Sequence, residues 1–127
     1  MIKKFVAYKG QIFTIEWYYD AQGKSAVFDY YVELSAAQKE KLIYLFYMLS
    51  DTGRIKSKEK FRYEGDRIYA FKPAPDRFLC FFNQDSKIII TNGFEKKSDK
   101  LPPAAKQKAL KYMEDYKQRC EEDSYYD

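Results

Sequence analysis

Three segments decide the fold: Arg67-Ile68-Tyr69-Ala70-Phe71-Lys72, Arg77-Phe78-Leu79-Cys80-Phe81-Phe82-Asn83 and Lys87-Ile88-Ile89-Ile90-Thr91. Each is rich in aromatic or β-branched residues, which favour extended backbone. Pro73-Ala74-Pro75-Asp76 and Gln84-Asp85-Ser86 separate them, connections short enough for antiparallel hairpins. The runs 78–82 and 88–90 are apolar without interruption and offer water no polar face. Those two segments are therefore expected at the centre of a sheet, covered on both sides.

Upstream, Arg54 to Arg62 form a basic stretch with Lys56, Lys58 and Lys60 at every second position. Before it, Ser35-Ala36-Ala37-Gln38 fits a capping box, in which hydroxyl and amide side chains satisfy backbone groups at a helix start. Leu42, Leu45, Phe46 and Leu49 then make one apolar stripe, and Gly53 supplies a left-handed stop. Val27, Phe28, Tyr31, Val32 and Leu34 approach the same spacing, which predicts a helical hairpin joined at Leu34-Ser35. The segment 11–18 reads as a strand, and Lys9-Gly10 turns a short hairpin into it from Phe5-Val6-Ala7-Tyr8. Downstream, 96–100 is a polar loop, and Pro102-Pro103 open a helix whose apolar side is Ala105, Ala109, Tyr112, Met113 and Tyr116.

The expectation is an α+β fold: a small antiparallel sheet with an N-terminal strand, a two-helix hairpin, three consecutive antiparallel strands and a C-terminal helix. One domain covers 1–117, and 118–127 is expected to be a frayed acidic tail. With 46% apolar and 19% aromatic residues, the chain has ample material for one core. Charge is unevenly spread. Residues 1–53 are neutral, 54–117 carry sixteen basic against nine acidic side chains, and 118–127 are net negative. A basic half suits an anionic partner. No apolar run is long enough to cross a bilayer, and Cys80 and Cys120 do not resemble a disulfide framework. A cytoplasmic protein with no membrane partner is the expectation.

The absence of histidine removes the usual imidazole acid, base and metal ligand, and leaves the serines and Cys80 without a triad partner. No phosphate-cradling glycine loop is present, so neither metal nor cofactor is expected. Cations and tyrosines on a sheet remain. Lys72 closes one expected strand and Arg77 opens the next, which makes them neighbours at the rim of a hairpin. Lys96 and Lys97 follow the last strand, where Gly93 lets the backbone bend back. Basic residues at a strand edge equally serve to block pairing with other chains.

The elements Ile68-Tyr69-Ala70-Phe71-Lys72, Asp76-Arg77-Phe78-Leu79-Cys80-Phe81-Phe82 and Gly93-Phe94-Glu95-Lys96-Lys97, with Pro102 and the Ala109 helix, resemble HigB-like, phage-derived toxins of the RelE/ParE superfamily. The resemblance implies a RelE-like fold and the toxin of a type II toxin–antitoxin system, a metal-independent mRNA endonuclease acting on the ribosome. It implies an antitoxin partner of helix-turn-helix type. Arg77 stands at the family's strand-opening arginine, the clamp for a scissile phosphate; Lys72, Lys96 and Lys97 stand at its other basic positions. Lys58, Lys60, Arg62, Tyr63 and Tyr69 are the further candidates for RNA contact. Leu101 falls where some relatives place a tyrosine, and the histidines of some HigB toxins have no counterpart. Two other functions share these features: a ParE-like toxin that inhibits gyrase, and a nucleic-acid-binding phage-derived protein without catalysis.

Cleavage by an RNA's own 2′-OH is possible without histidine. A bidentate arginine suits phosphate oxygens that gain charge. A lysine crowded by cations loses its proton more readily and serves as base.

Overall fold

The computed structural model describes residues 5–126. In chain order it contains β1 (Val6–Lys9), β2 (Thr14–Trp17), α1 (Ala26–Val32), α2 (Ala36–Thr52), β3 (Phe61–Gly65), β4 (Ile68–Phe71), β5 (Asp76–Asn83), β6 (Lys87–Glu95) and α3 (Pro103–Glu121). The six strands form one sheet in the order β1-β2-β6-β5-β4-β3. All neighbours are antiparallel except β2 and β6, which run parallel with Trp17 opposite Ile90.

The α+β class holds, with two corrections to the sheet. It is mixed rather than antiparallel, because β2 must run beside β6 after the chain has crossed over through two helices and three strands. It also has an additional strand, β3, which begins at the end of the region read as a basic stretch. There the lysine run hides a strict alternation, Phe61-Arg62-Tyr63-Glu64, followed by Gly65-Asp66. Gly65, Asp66 and Arg67 all have positive φ and make the β3–β4 turn.

The helical hairpin forms as expected. Ser35 accepts from the Gln38 N–H, and the Gln38 side chain accepts from the Ser35 N–H, a cap that stabilises a helix start by about 1 kcal/mol. Gly53 ends α2 in the left-handed region with φ 84°. Strands β5 and β6 lie in the middle of the sheet, and Phe78, Leu79, Cys80, Phe81, Ile88, Ile89 and Ile90 are buried, as their apolar runs require.

The pairing register sorts side chains onto two faces. Trp17, Phe71 and Phe78 point toward α1 and α2, where Trp17 meets Phe28 and Phe46, and Phe71 meets Phe46. Tyr18 and Phe81 point the other way, onto Tyr112 and Tyr116 of α3. Helix α2 packs on β1 and β2. The β3–β4 end of its face therefore stays partly open. That asymmetry positions everything that follows.

The C-terminal segment does not fray over its described residues, 118–126. Tyr125 is 1% exposed, with ring centroids 4.2 Å from Tyr19 and 4.5 Å from Tyr116. Tyr126 donates to the buried Glu16 carboxylate at 2.6 Å, and the Arg119 guanidinium donates to the Tyr19 and Asp20 carbonyls at 2.9 and 3.1 Å. Glu121, Glu122, Asp123 and Ser124 face water. The charge count drew attention to the acids, whereas the two tyrosines beside them decide the packing. Among the described residues, no helix is long and apolar enough to cross a membrane.

Candidate nucleic-acid interface

Phe71 pairs with Phe78, so Lys72 and Arg77, one step on, stand opposite each other across the β4–β5 turn. Both leave the sheet on the α3 side, because their neighbours Phe71 and Phe78 are committed to the helical hairpin. The Lys72 N–H donates to the Lys60 carbonyl at 2.8 Å, and its ammonium donates to the Lys58 carbonyl at 3.3 Å, which fixes it against the start of β3. The Arg77 guanidinium donates to the Asp76 carbonyl at 3.1 Å. Asp76, itself buried, accepts from Tyr30 and Gln38, so the strand carrying Arg77 is pinned to both helices of the hairpin.

The end of β6 folds onto the same turn, where the Lys96 N–H donates to the Pro75 carbonyl at 2.8 Å. Gly93 permits this close approach. A Cβ there would lie 2.7 Å from the Phe78 ring. Lys96 pairs with Asp99 at 2.6 Å across the loop. Lys97 is exposed and lines a crevice shared with Lys72, Arg77, Phe94, Asp99 and Leu101. That crevice holds only about 20 Å³, room for a single water. Next to it, across Glu64 and Leu101, opens a cleft of about 770 Å³ that also takes in Arg62 and Lys106. A nucleotide fits the cleft and not the crevice; Lys72, Arg77 and Lys97 line the crevice, whereas Arg62, Lys100 and Lys106 line the cleft together with Glu64 and Asp99.

The electrostatics agree with this convergence. Burial lowers the pKa of the Lys72 ammonium, and the positive charges of Arg77, Arg62 and Lys96 lower it further, against an opposing effect of Glu64. The Asp99 carboxyl is held below the usual range by its bond and charge attraction to Lys96, with Arg77 and Lys72 adding smaller effects. Four positive groups from β3, β4, β5 and the β6 end thus act on one another. Among the described residues Arg77, Arg62 and Lys72 have no carboxylate partner within 4.0 Å. A dianionic phosphoryl group placed among them would gain several charge-assisted hydrogen bonds.

The structure therefore brings Lys72, Arg77, Lys96, Lys97 and Arg62 together, and separates the others. Tyr63 and Tyr69 share the face of Phe61 and Phe71, on the opposite side of the sheet from Lys72. Lys58 lines a cleft with those tyrosines, and Lys60 is exposed on the connection between α2 and β3. Sequence reasoning missed Glu64, Asp99 and Lys106. Lys106 pairs with Asp66 at 2.9 Å and ties the β3–β4 turn to α3. The spacing of Lys96 and Asp99 was visible in the loop, but the Lys106 contact depends on a strand the sequence concealed.

A six-stranded mixed sheet with helices on both faces, and a cleft between its β3–β4 end and the start of α3, defines a small α+β protein. Residues 29–114 match the family described as phage derived protein Gp49-like, and the chain belongs to that family, a toxin-like group of RelE/HigB type. No curated protein matches the chain. The match ends before the aromatic C-terminal segment and starts after β2, so it covers the cationic site in full.

Proposed function

We propose that the protein is the toxin of a type II toxin–antitoxin pair and cuts mRNA on the ribosome. One observation carries this reading: Lys72, Arg77 and Lys97 line one crevice at the β4–β5 rim, Lys96 lies close enough to act on Lys72, and a nucleotide-sized cleft opens beside that crevice across Glu64 and Leu101. Family membership supports a toxin; the cleavage chemistry is inferred from the residues.

In this reading Arg77 holds the non-bridging oxygens of the scissile phosphate, where negative charge grows in the transition state. The uncharged amine of Lys72, favoured by burial and neighbouring cations, takes the proton of the attacking 2′-OH. The 2′-oxygen then bonds to phosphorus as the bond to the 5′-oxygen breaks. Lys96, released from Asp99, or Lys97 gives that oxygen a proton. The products are a 2′,3′-cyclic phosphate and a free 5′-OH, and no water or metal is consumed. The antitoxin, of helix-turn-helix type, silences the toxin by covering the basic face.

Leu101 favours a second reading, a gyrase-inhibiting toxin without RNA chemistry. It forms part of the wall between crevice and cleft and carries no proton to donate. Induced expression in growing bacteria separates the two. The endonuclease reading expects growth arrest with broken translated transcripts, both lost in Arg77→Ala. Arrest with intact transcripts and broken chromosomes supports gyrase as target, and normal growth refutes both.

A further inference from the structure

The side of the sheet opposite Lys72 carries a second, unassigned surface. Phe61, Tyr63 and Tyr69 come from β3 and β4 and share one face by register, and Phe82 of β5 joins them. The rings make a ladder. Phe61 and Tyr69 are parallel within 8° at 5.4 Å, Tyr63 lies 4.9 Å from Tyr69, and Phe82 lies 5.0 Å from Tyr69 and 5.3 Å from Phe13. Helix α2 covers this face over β1 and β2 and leaves the ladder open, with Tyr63 53% exposed. The Tyr63 hydroxyl accepts from the Arg67 N–H at 3.1 Å, so the ring is held in place while one side stays wet. Fixing the ring before a ligand arrives removes part of the ordering cost of binding.

Phe61, Tyr63 and Tyr69 of the ladder form the floor of a cleft of about 580 Å³ whose other walls are Ile55 and the cations Arg54, Lys56, Lys58 and Arg62. None of these four cations has a carboxylate partner within 4.0 Å among the described residues. No acidic residue lines the cleft. Two other exposed tyrosines, Tyr44 and Tyr47 on α2, stand beside both Lys39 and Glu40 and lack this one-signed rim. Open ring faces surrounded by unpaired cations match a ligand with flat apolar rings and a negative backbone.

We propose that this open end of the helical-hairpin face binds single-stranded nucleic acid, with Tyr63 and Tyr69 stacking on unpaired bases and Arg54, Lys56 and Lys58 taking phosphates. Arg62 lines both this cleft and the one beside Lys72, so a strand leaving the platform reaches the Lys72–Arg77 face around the β3 edge. Only that path rests on the cleavage reading; the platform binds whether or not the other face cuts.

The test is anisotropy of a fluorescent 2′-O-methyl oligouridylate of roughly 12 nucleotides. Without a free 2′-OH it cannot be cut by the proposed route, so binding is read apart from cleavage. Tyr63→Ala is expected to weaken binding at least about fivefold, the loss of one base stack, while Tyr63→Phe retains it. Replacing Lys56 and Lys58 by Ala lowers the slope of log affinity against log salt by about 1.4. A 4-thiouridine at mid-strand is expected to cross-link to Tyr63 or Tyr69. Unchanged affinity in Tyr63→Ala, or cross-links confined to the Arg77 side, overturns the platform. Cellular cleavage is scored separately: transcripts cut equally well by Tyr63→Ala, which has lost no oligonucleotide binding, would leave the endonuclease standing and the platform refuted.

Discussion

The two ends of the sheet are built from the same residue types and use them in opposite ways. At the β1–β2 end, Tyr18, Tyr19, Tyr116 and Tyr125 are buried against one another, and the cations are satisfied: Arg119 by Asp115 and two carbonyls, Lys87 by Glu16 and the Tyr126 ring. At the β3–β4 end, Tyr63 faces water, and Arg54, Arg62, Lys72 and Arg77 have no carboxylate partner among the described residues. Tyrosine and arginine are thus part of the packing where both faces of the sheet are covered, and left open to solvent where α2 and the C-terminal segment do not reach. Coverage, more than residue identity, separates scaffold from site.

The largest effect that sharpens this contrast lies at Lys72. Lys72→Arg keeps the positive charge but removes a group that gives up its proton more readily than an ordinary lysine. Cleavage is expected to fall about 100- to 10,000-fold, with oligonucleotide affinity retained. Because the pKa of Lys72 lies below the ordinary 10.5, wild-type cleavage should rise with pH through that lowered value and level off before 10.5. Rate–pH profiles of the two proteins check this. The same shift bears on stability. The native state binds this proton less readily than the unfolded chain, so raising the pH between the lowered value and 10.5 favours folding.

Next in size is a change at the other end. Tyr125→Ala empties a fully enclosed ring site and should lower stability by about 3–5 kcal/mol in urea unfolding. Tyr63→Ala, at the open end, should change it by no more than about 0.5 kcal/mol. Equal losses at the two tyrosines would break the comparison. The smallest effect belongs to Asp99. Asp99→Asn removes the carboxylate bonded to Lys96 and is expected to tighten oligonucleotide binding about twofold at low salt, an advantage that fades as salt screens it.

Much of the fold was legible in the sequence because local signals and global needs coincide there. Ser35 and Gln38 cap α2, Gly53 stops it, and the apolar runs of β5 and β6 demand the middle of the sheet. The pair Lys72 and Arg77 was legible for a similar reason, since a four-residue turn leaves two strand ends no choice but to meet. Long-range pairing was not. Nothing local in Thr14–Trp17 announces a parallel partner more than seventy residues away, and β3 was masked by lysines on the connection before it. The faces of Tyr63 and Tyr69 follow from the β3–β4 register, so without that strand the sequence could not say on which side of the sheet the two rings lie. The C-terminal segment was misread because its acids are conspicuous, whereas burial is decided by Tyr125, whose partners Tyr19 and Tyr116 lie elsewhere in the chain.

The central claim is that the cations gathered at the β4–β5 rim act on the backbone of RNA. The most direct measurement maps the ends of an mRNA translated in a purified system containing the protein. Fragments ending in 2′,3′-cyclic phosphate should form with the wild type and fall about 100- to 1,000-fold with Arg77→Ala, a variant whose far-ultraviolet circular dichroism stays native. Intact mRNA with active wild-type protein, or undiminished cleavage by Arg77→Ala, would contradict the account.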